Sequence, residues 1–441
     1  MVRERQNVVL VTADSLRGDH CGFLNASADT TPHLDRVADE AVTFESAIAP
    51  GPRTPTAVPE LLTGRPLPHV APDNYVEQVE RFRTHLQRHQ TLPERLSDLG
   101  YTTVAFSTNP WTSTRCGVEE AFDEFRDLGT MRRTPIYELG SSVFSDTALE
   151  TPLLWFERWR QDCSFFAQWP TFFDELADAI EDLPKPYFLW VFLMDTHNPY
   201  LVPPRDRVES SSLSTYYGLV RGNSAVSHAS TQSYFRSDIP DHVDRCIRRA
   251  YRDAVRSVDR FVPNLLAAVA DDDPLFAFTA DHGEAFGEHG TYGHQQTLYE
   301  ENVRVPLLIA GSEADGDERV SRPISLRRLP DLIEGYARDR TPIASDEWTD
   351  SAVVARSEGG DLLAVRTEDE KYIRSPEGAE LYDLAVDPGE TRNVADEVDR
   401  SRFEARIDEY LETVPTPDAD RSGDELDADV RQRLSLLGYD E

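Results

Sequence analysis

The sequence predicts an α/β fold: a mostly parallel central sheet flanked by helices, followed by a small antiparallel C-terminal subdomain. Three observations carry that expectation. Apolar runs of strand length alternate with stretches of helical periodicity, three of those runs end in a polar pair, and beyond Gly311 the pattern changes to short strands joined by turns.

Taken in chain order, residues 7–13 (NVVLVTA) read as a buried strand that delivers Asp14 and Ser15 at its carboxyl end. TPHLDRVADEAVTFESAIA carries helical spacing and runs into a strand, and PGPRTPTAVPELLTG reads as a proline-rich loop entering a helix. TLPERLSDLGYTTVAFSTNPW is a helix, a stop at Gly100 and a second buried strand ending near Asn109. The Trp- and Phe-rich stretch at about 137–183 predicts an inserted helical region whose rings serve packing. PYFLWVFLMDTHNPY is a buried strand ending in Asp195 and His197, and the serine-rich span 207–237 predicts a long loop or lid. A helix from Cys246 then leads to the strand LFAFTA, the loop FTADHGEAFGEHGTYGH with Asp281, His282 and His294, and a strand in VRVPLLIAG. These elements divide the chain into a catalytic domain over 1–340, an α+β subdomain over 345–400 and an acidic, partly helical tail over 401–441.

Charge narrows the partners. Acidic residues outnumber basic ones by 80 to 45, a formal net charge of −35, which argues against nucleic acid or an anionic membrane surface. An anionic substrate must therefore meet a local positive centre. Only two of the basic residues, Lys185 and Lys371, are lysines. Acid excess along the whole chain suits a halophilic protein, because the Debye length falls to about 3 Å at 1 M salt and mutes self-repulsion. Cys21, Cys116, Cys163 and Cys246 are too far apart for a zinc knuckle and predict reduced thiols. With no charged-then-apolar leader before Asn7 and no apolar run of membrane-spanning length, the expected location is cytoplasmic.

In a parallel sheet the three polar strand ends converge on one edge, where open α/β folds place their ligands. Asp14, Asp281 and His282 make an oxygen-and-imidazole set suited to a divalent cation such as Ca²⁺, Mg²⁺, Mn²⁺ or Zn²⁺. A cation there would reverse the local sign of an acidic protein, hold an anionic ester oxygen and lower the pKa of a nearby hydroxyl.

The stretches VTADSLRGDH, TADHGEAFGEHGTYGH with VRVPLLIAG, and ELYDLAVDPGETRNV resemble, in order, the amino-terminal metal loop, the second metal loop with its following strand, and the carboxyl-terminal signature of the sulfatase family in the alkaline phosphatase superfamily. The resemblance implies an alkaline phosphatase-like fold, a hydrolase of sulfate or phosphate esters on a small molecule, glycan or lipid, and metal ligation by Asp14, Ser15, Thr54, Asp281 and His282. It also implies that His197 contacts the ester or protonates the leaving oxygen, and that His294 stands where many sulfatases carry a lysine on the sulfate. By the same resemblance His294 could instead complete a second metal site with Asp195 or His197.

The chain departs from the family at the nucleophile. Counting back from Gly64 by the family's spacing lands on Thr54, where the family places a cysteine or serine oxidised to formylglycine, and Val58 takes the place of the motif arginine. The resemblance is thus to a haloarchaeal-type divergent member lacking that cysteine. Threonine serves as nucleophile in other branches of the superfamily, which shifts the expected chemistry towards a threonine attack and phosphate esters or diesters, with Thr56 the fallback. Ser15 replaces a metal-binding aspartate, and STNPW replaces GKWH, so that Asn109 becomes the expected ester contact. Arg17 and Asp19 read as structural, and Glu284, Glu288 and His289 as supporting or surface groups. A phosphodiesterase, phosphonate hydrolase or phospho-group transferase is the alternative enzyme, and an anion- or glycan-binding relative without turnover the alternative outside catalysis.

Overall fold

The computed structural model describes residues 5–72, 74–128, 167–223, 239–311 and 318–416. Most of the predicted aromatic insertion therefore lies outside the described residues. Eight strands form the central sheet: β1 (Val8–Ala13), β2 (Ala41–Phe44), β3 (Thr102–Ser107), β4 (Glu124–Asp127), β5 (Tyr187–Leu193), β6 (Leu275–Ala280), β7 (Leu307–Ala310) and β8 (Glu318–Val320). Their order is β8-β2-β7-β6-β1-β5-β3-β4, and β7 alone runs antiparallel to its neighbours. The central strands β1, β5 and β6 are buried along their whole length, as continuous apolar runs covered on both faces should be.

The flanking helices include α1 (Pro32–Ala38), α2 (Thr54–Thr63), α3 (Tyr75–Arg88), α4 (Leu92–Asp98), α5 (Phe173–Glu181), α6 (Ser212–Asn223), α7 (Asp241–Ala268) and α8 (Leu329–Asp339). In α7 the apolar positions Val243, Ile247, Ala250, Tyr251, Ala254, Val258, Phe261 and Leu265 recur at three- and four-residue spacing and are buried, which seats the helix against the sheet. One span departs from the sequence reading. The predicted lid over 207–237 contains the 12-residue helix α6, whose Tyr216 and Leu219 are buried; residues 224–237 lie outside the described residues. The predicted acidic tail begins with the helix α9 (Ser401–Thr413), which docks Phe403, Ile407 and Tyr410 on the C-terminal sheet of strands 353–356, 363–366, 370–375 and 378–383. That segment is an integral layer of the subdomain, because its i, i+4, i+7 apolar stripe needs a partner.

The carboxyl ends of β1, β5 and β6 stand side by side, with Ala13 paired to both Leu193 and Ala280. That register brings the residues after each strand to one edge of the sheet.

Candidate active site

Asp14 leaves β1 with its backbone N–H donating to Leu193 O at 2.8 Å, and Ser15 follows at φ 58°, a left-handed turn that folds the chain back across the strand ends. Asp281 and His282 leave β6. The next residue must be glycine: a Cβ on Gly283 would lie 2.0 Å from Glu301 O, and the Gly283 N–H donates to Asn302 O at 2.8 Å. The turn brings Asp14, Asp281 and His282 together with their ligand atoms within 4.8 Å of one another, all fully buried. His282 Nε2 is 3.6 Å from both Asp14 Oδ1 and Asp281 Oδ2.

The set fits a divalent cation. Asp281 Oδ2 is buried and has no hydrogen-bond partner, which is costly for a carboxylate oxygen unless a cation receives it. His282 donates Nδ1–H to Gly283 O at 2.8 Å, the tautomer that turns the Nε2 lone pair towards the carboxylates. Burial first, and mutual repulsion second, push Asp14 above the usual carboxylate range; burial pushes Asp281 up to about 7. Burial likewise lowers His282 to about 4, the form that ligates metal.

Thr54 opens α2 and its Oγ1 lies 3.4 Å from Asp14 Oδ2 and 3.3 Å from His282 Nε2. Thr56 Oγ1, the fallback, is buried without a hydrogen-bond partner, and its methyl group stands against Gly51. His197 donates Nδ1–H to Asn198 O at 2.6 Å, and its ring centre is 5.1 Å from that of His294, which is 4.8 Å from that of His282. Three imidazoles therefore share one wall of the site.

Other expected residues hold different positions. Asn109 donates Nδ2–H to Asp14 Oδ2 at 2.5 Å and accepts from Trp111 N, so its amide is held against Asp14. Ser15 donates Oγ–H to Asp14 Oδ1 at 2.7 Å and its N–H to Asp281 Oδ1 at 3.3 Å, so it ties the two carboxylates together. Asp195 Oδ1 accepts from Ser257 Oγ on α7 at 3.2 Å, its Oδ2 is buried without a hydrogen-bond partner, and burial raises it to about 7. Arg17 and Asp19 form a two-bond ion pair at 2.7 and 2.8 Å, and Arg17 also donates to Glu284 O and Glu288, bracing the second metal loop.

One residue escaped the sequence reading, and another was placed only loosely by it. Glu284, expected as a supporting or surface group, is fully buried and accepts from His294 Nδ1 at 3.2 Å, fixing that ring. Arg53, immediately before Thr54, is 1% exposed, and its charge is felt at both His282 and His294. Its only signal in sequence is adjacency to the threonine.

The sulfatase family profile matches residues 6–334, three quarters of the chain and every strand of the central sheet. The chain belongs to the sulfatase family. A protein named sulfatase from Formosa agariphila is 22% identical over 470 aligned positions, covering 94% of this chain and 87% of that protein. Among solved structures, the phosphonate monoester hydrolase of Agrobacterium radiobacter superposes with a TM-score of 0.63 at 18% identity, over 93% of this chain and 95% of its own. Another, at TM-score 0.62 and 14% identity over 93% and 97%, is a protein bound to its substrate D-glucosamine-2-N,6-O-disulfate. This sulfatase-family chain is accordingly a sulfuric ester hydrolase by kinship, with the alkaline phosphatase-like fold, and divalent metals are the family's cofactors.

Proposed function

We propose that the chain cleaves a sulfate or phosphate ester by direct attack of Thr54 Oγ1, in place of a formylglycine. The observation that carries this reading is the position of that hydroxyl, at the start of α2 and within 3.4 Å of Asp14 Oδ2 and 3.3 Å of His282 Nε2. A divalent cation held by Asp14, Asp281 and His282 would supply the Lewis-acid charge that makes a threonine hydroxyl acidic enough to act at neutral pH.

The remaining steps belong to the chain's own groups. Thr54 Oγ1 gives its proton to solvent water and bonds to sulfur or phosphorus as the bond to the leaving oxygen breaks. His197, oriented through Nδ1 to Asn198 O, gives a proton from Nε2 to that oxygen. Water then attacks the threonyl ester, its oxygen bonding to sulfur or phosphorus as the bond to Thr54 Oγ1 breaks, and its two protons restore the Thr54 hydroxyl and the proton on His197 Nε2. Ser15 and Asn109 hold Asp14 in place, and Glu284 holds His294 against the substrate.

Kinship favours a sulfate ester on a glycan-like alcohol, while the threonine and the likeness to a phosphonate monoester hydrolase favour phosphorus as the second reading. The acidic composition supports salt-rich working conditions. Initial rates on 4-nitrophenyl sulfate, phosphate, bis-phosphate and phenylphosphonate, each with Ca²⁺, Mg²⁺, Mn²⁺, Zn²⁺ or EDTA in roughly molar KCl, test it. Metal-dependent turnover that vanishes in Thr54→Ala supports the threonine attack, and the preferred ester chooses the element attacked. Equal rates in wild type and Thr54→Ala would sink it, and inertness of both with every metal would leave an anion-binding relative.

A further inference from the structure

The second metal loop is held from outside as well as from within. Its turn after His282 sends two backbone donors into one short element: Gly283 N–H bonds Asn302 O and Glu284 N–H bonds Glu301 O, each at 2.8 Å. Asn302 also donates Nδ2–H to Gly293 O at 3.2 Å, one residue before His294. The helical turn Glu300–Val303 is therefore a strut behind the residues that follow β6.

The C-terminal subdomain grips that strut in two ways. Leu298 and Val303 share an apolar cluster with Ala364, Ile373 and Tyr382 of the C-terminal sheet. Apolar contact is non-directional, so it does not by itself set where along the sheet the strut sits. Charge does. Lys371, fully buried on strand 370–375, donates to Glu300 Oε1 at 3.0 Å and pairs with Glu390 Oε1 at 3.1 Å. Glu390 Oε2 in turn accepts from Glu300 N at 2.6 Å, and Arg366 Nε lies 3.3 and 3.4 Å from the two oxygens of the Glu300 carboxylate. The first residue of the strut is thus fixed through both its side chain and its backbone. Lys371 is one of only two lysines among 45 basic residues. A compact ammonium can serve carboxylates on two different segments at once, whereas a planar guanidinium must turn its fork to one of them.

We propose that Lys371 is a positioning residue for the metal centre: from the C-terminal subdomain it fixes Glu300 and Glu390, and through them the strut that holds the turn after Asp281 and His282. The inference rests on the reading of Asp14, Asp281 and His282 as a cation site. Lys371 acts on that site only through the strut, by way of the bonds from Gly283 N and Glu284 N. Groups that support metal ligands from outside govern how well those ligands are aimed. The subdomain is on this account part of the metal site's support.

The test measures the affinity of the full chain for Ca²⁺, Mg²⁺, Mn²⁺ and Zn²⁺ by calorimetry in roughly molar KCl, beside hydrogen exchange of the Gly283 and Glu284 amides in the metal-free protein. Lys371→Met keeps an apolar stem and removes the charge. Its affinity for the metal that wild type binds best should fall about 10- to 100-fold, the usual cost of losing an outer support of metal ligands. The two amides should exchange about 10-fold faster. Phe403→Leu, in the apolar layer between α9 and the C-terminal sheet, lowers stability away from the strut and should change neither quantity. Should Lys371→Met not fold, Glu390→Gln takes its place, with a loss of about 10-fold expected. A folded Lys371→Met, or failing that Glu390→Gln, that binds metal as tightly as wild type overturns the proposal. So does a fall in affinity with unchanged exchange at Gly283 and Glu284, or an equal fall in Phe403→Leu, which would reduce Lys371 to a stability contact. Wild-type protein that binds none of the four metals overturns this inference together with the reading of the cation site.

Discussion

Two polar clusters meet at the first turn of α2, and they are finished to different degrees. The Asp14–Asp281–His282 cluster packs two acids and a base into a fully buried space and leaves Asp281 Oδ2 without a hydrogen-bond partner. The neighbouring seam of Arg53, Arg81, Arg327 and Arg356 is less completely buried, and there the carboxylates of Glu60 and Glu358 each accept from several donors. Buried carboxylates are ordinarily satisfied, so the cluster whose carboxylate is unfinished marks the place a ligand completes, and the one whose carboxylates are finished marks a scaffold. Substitutions in the two clusters should therefore fail differently.

The largest contrast is in activity. Thr54→Ala removes one hydroxyl from the unfinished cluster and should cost roughly three orders of magnitude or more in kcat/KM, with the circular dichroism spectrum unchanged. In the seam, Glu60→Gln should act on stability, by about 3–5 kcal/mol, since it strips the carboxylate shared by Arg356 and Arg327 at 0% exposure. Denaturant unfolding of the two variants checks the comparison, and a Thr54→Ala protein as unstable as Glu60→Gln would erase it.

A sharper form uses the metal-free protein. Asp281→Asn should abolish the rise in Tm that divalent metal gives wild type, and in EDTA it should be more stable than wild type by about 1–3 kcal/mol, because a buried carboxyl without a counter-charge is itself a burden. A metal-free Asp281→Asn that melts below wild type would mean that Asp281 belongs to the scaffold instead.

The sequence carried the unfinished cluster better than the finished one. Asp14, Asp281 and His282 each follow a continuous apolar run, so the strand itself flags them and a parallel sheet brings them to one edge. Thr54 was reached only through family spacing, and nothing local distinguishes it from a helix cap. Arg53 and Glu358 were invisible, because their pairing spans 305 residues and neither lies on a periodic pattern. The direction of β7 was equally hidden, since a buried apolar run has no polarity. Helix α6 was misread as a loop because SLSTYYGLVRGN is poor in helix formers; it forms because Tyr216 and Leu219 are buried beside α7, a tertiary contact that overrides propensity.

The smallest expected effect concerns how the second metal loop is pinned to the subdomain. His289 stacks on Tyr299 with ring centres 3.6 Å apart, bonds Glu301 Oε1 through Nδ1 at 2.8 Å and Glu390 O through Nε2 at 3.1 Å. Only imidazolium can donate both bonds. Burial alone would lower its pKa, but the Glu301 bond and charge, with Glu390 behind them, outweigh burial and raise it to about 9. A histidine raised in the fold contributes stability that is complete below its unfolded value of 6.5 and is lost as pH climbs through about 9. The ring is partly open to solvent, so the discounted contribution is about 1 kcal/mol. Unfolding free energy should thus fall between pH 6.5 and 9 in wild type, and His289→Gln should flatten that fall while leaving the unloaded Asp14–Asp281–His282 cluster intact. Matching slopes in the two proteins would place the pin elsewhere, with Glu390, itself raised to about 7 by burial against the pull of Lys371, the next group to replace.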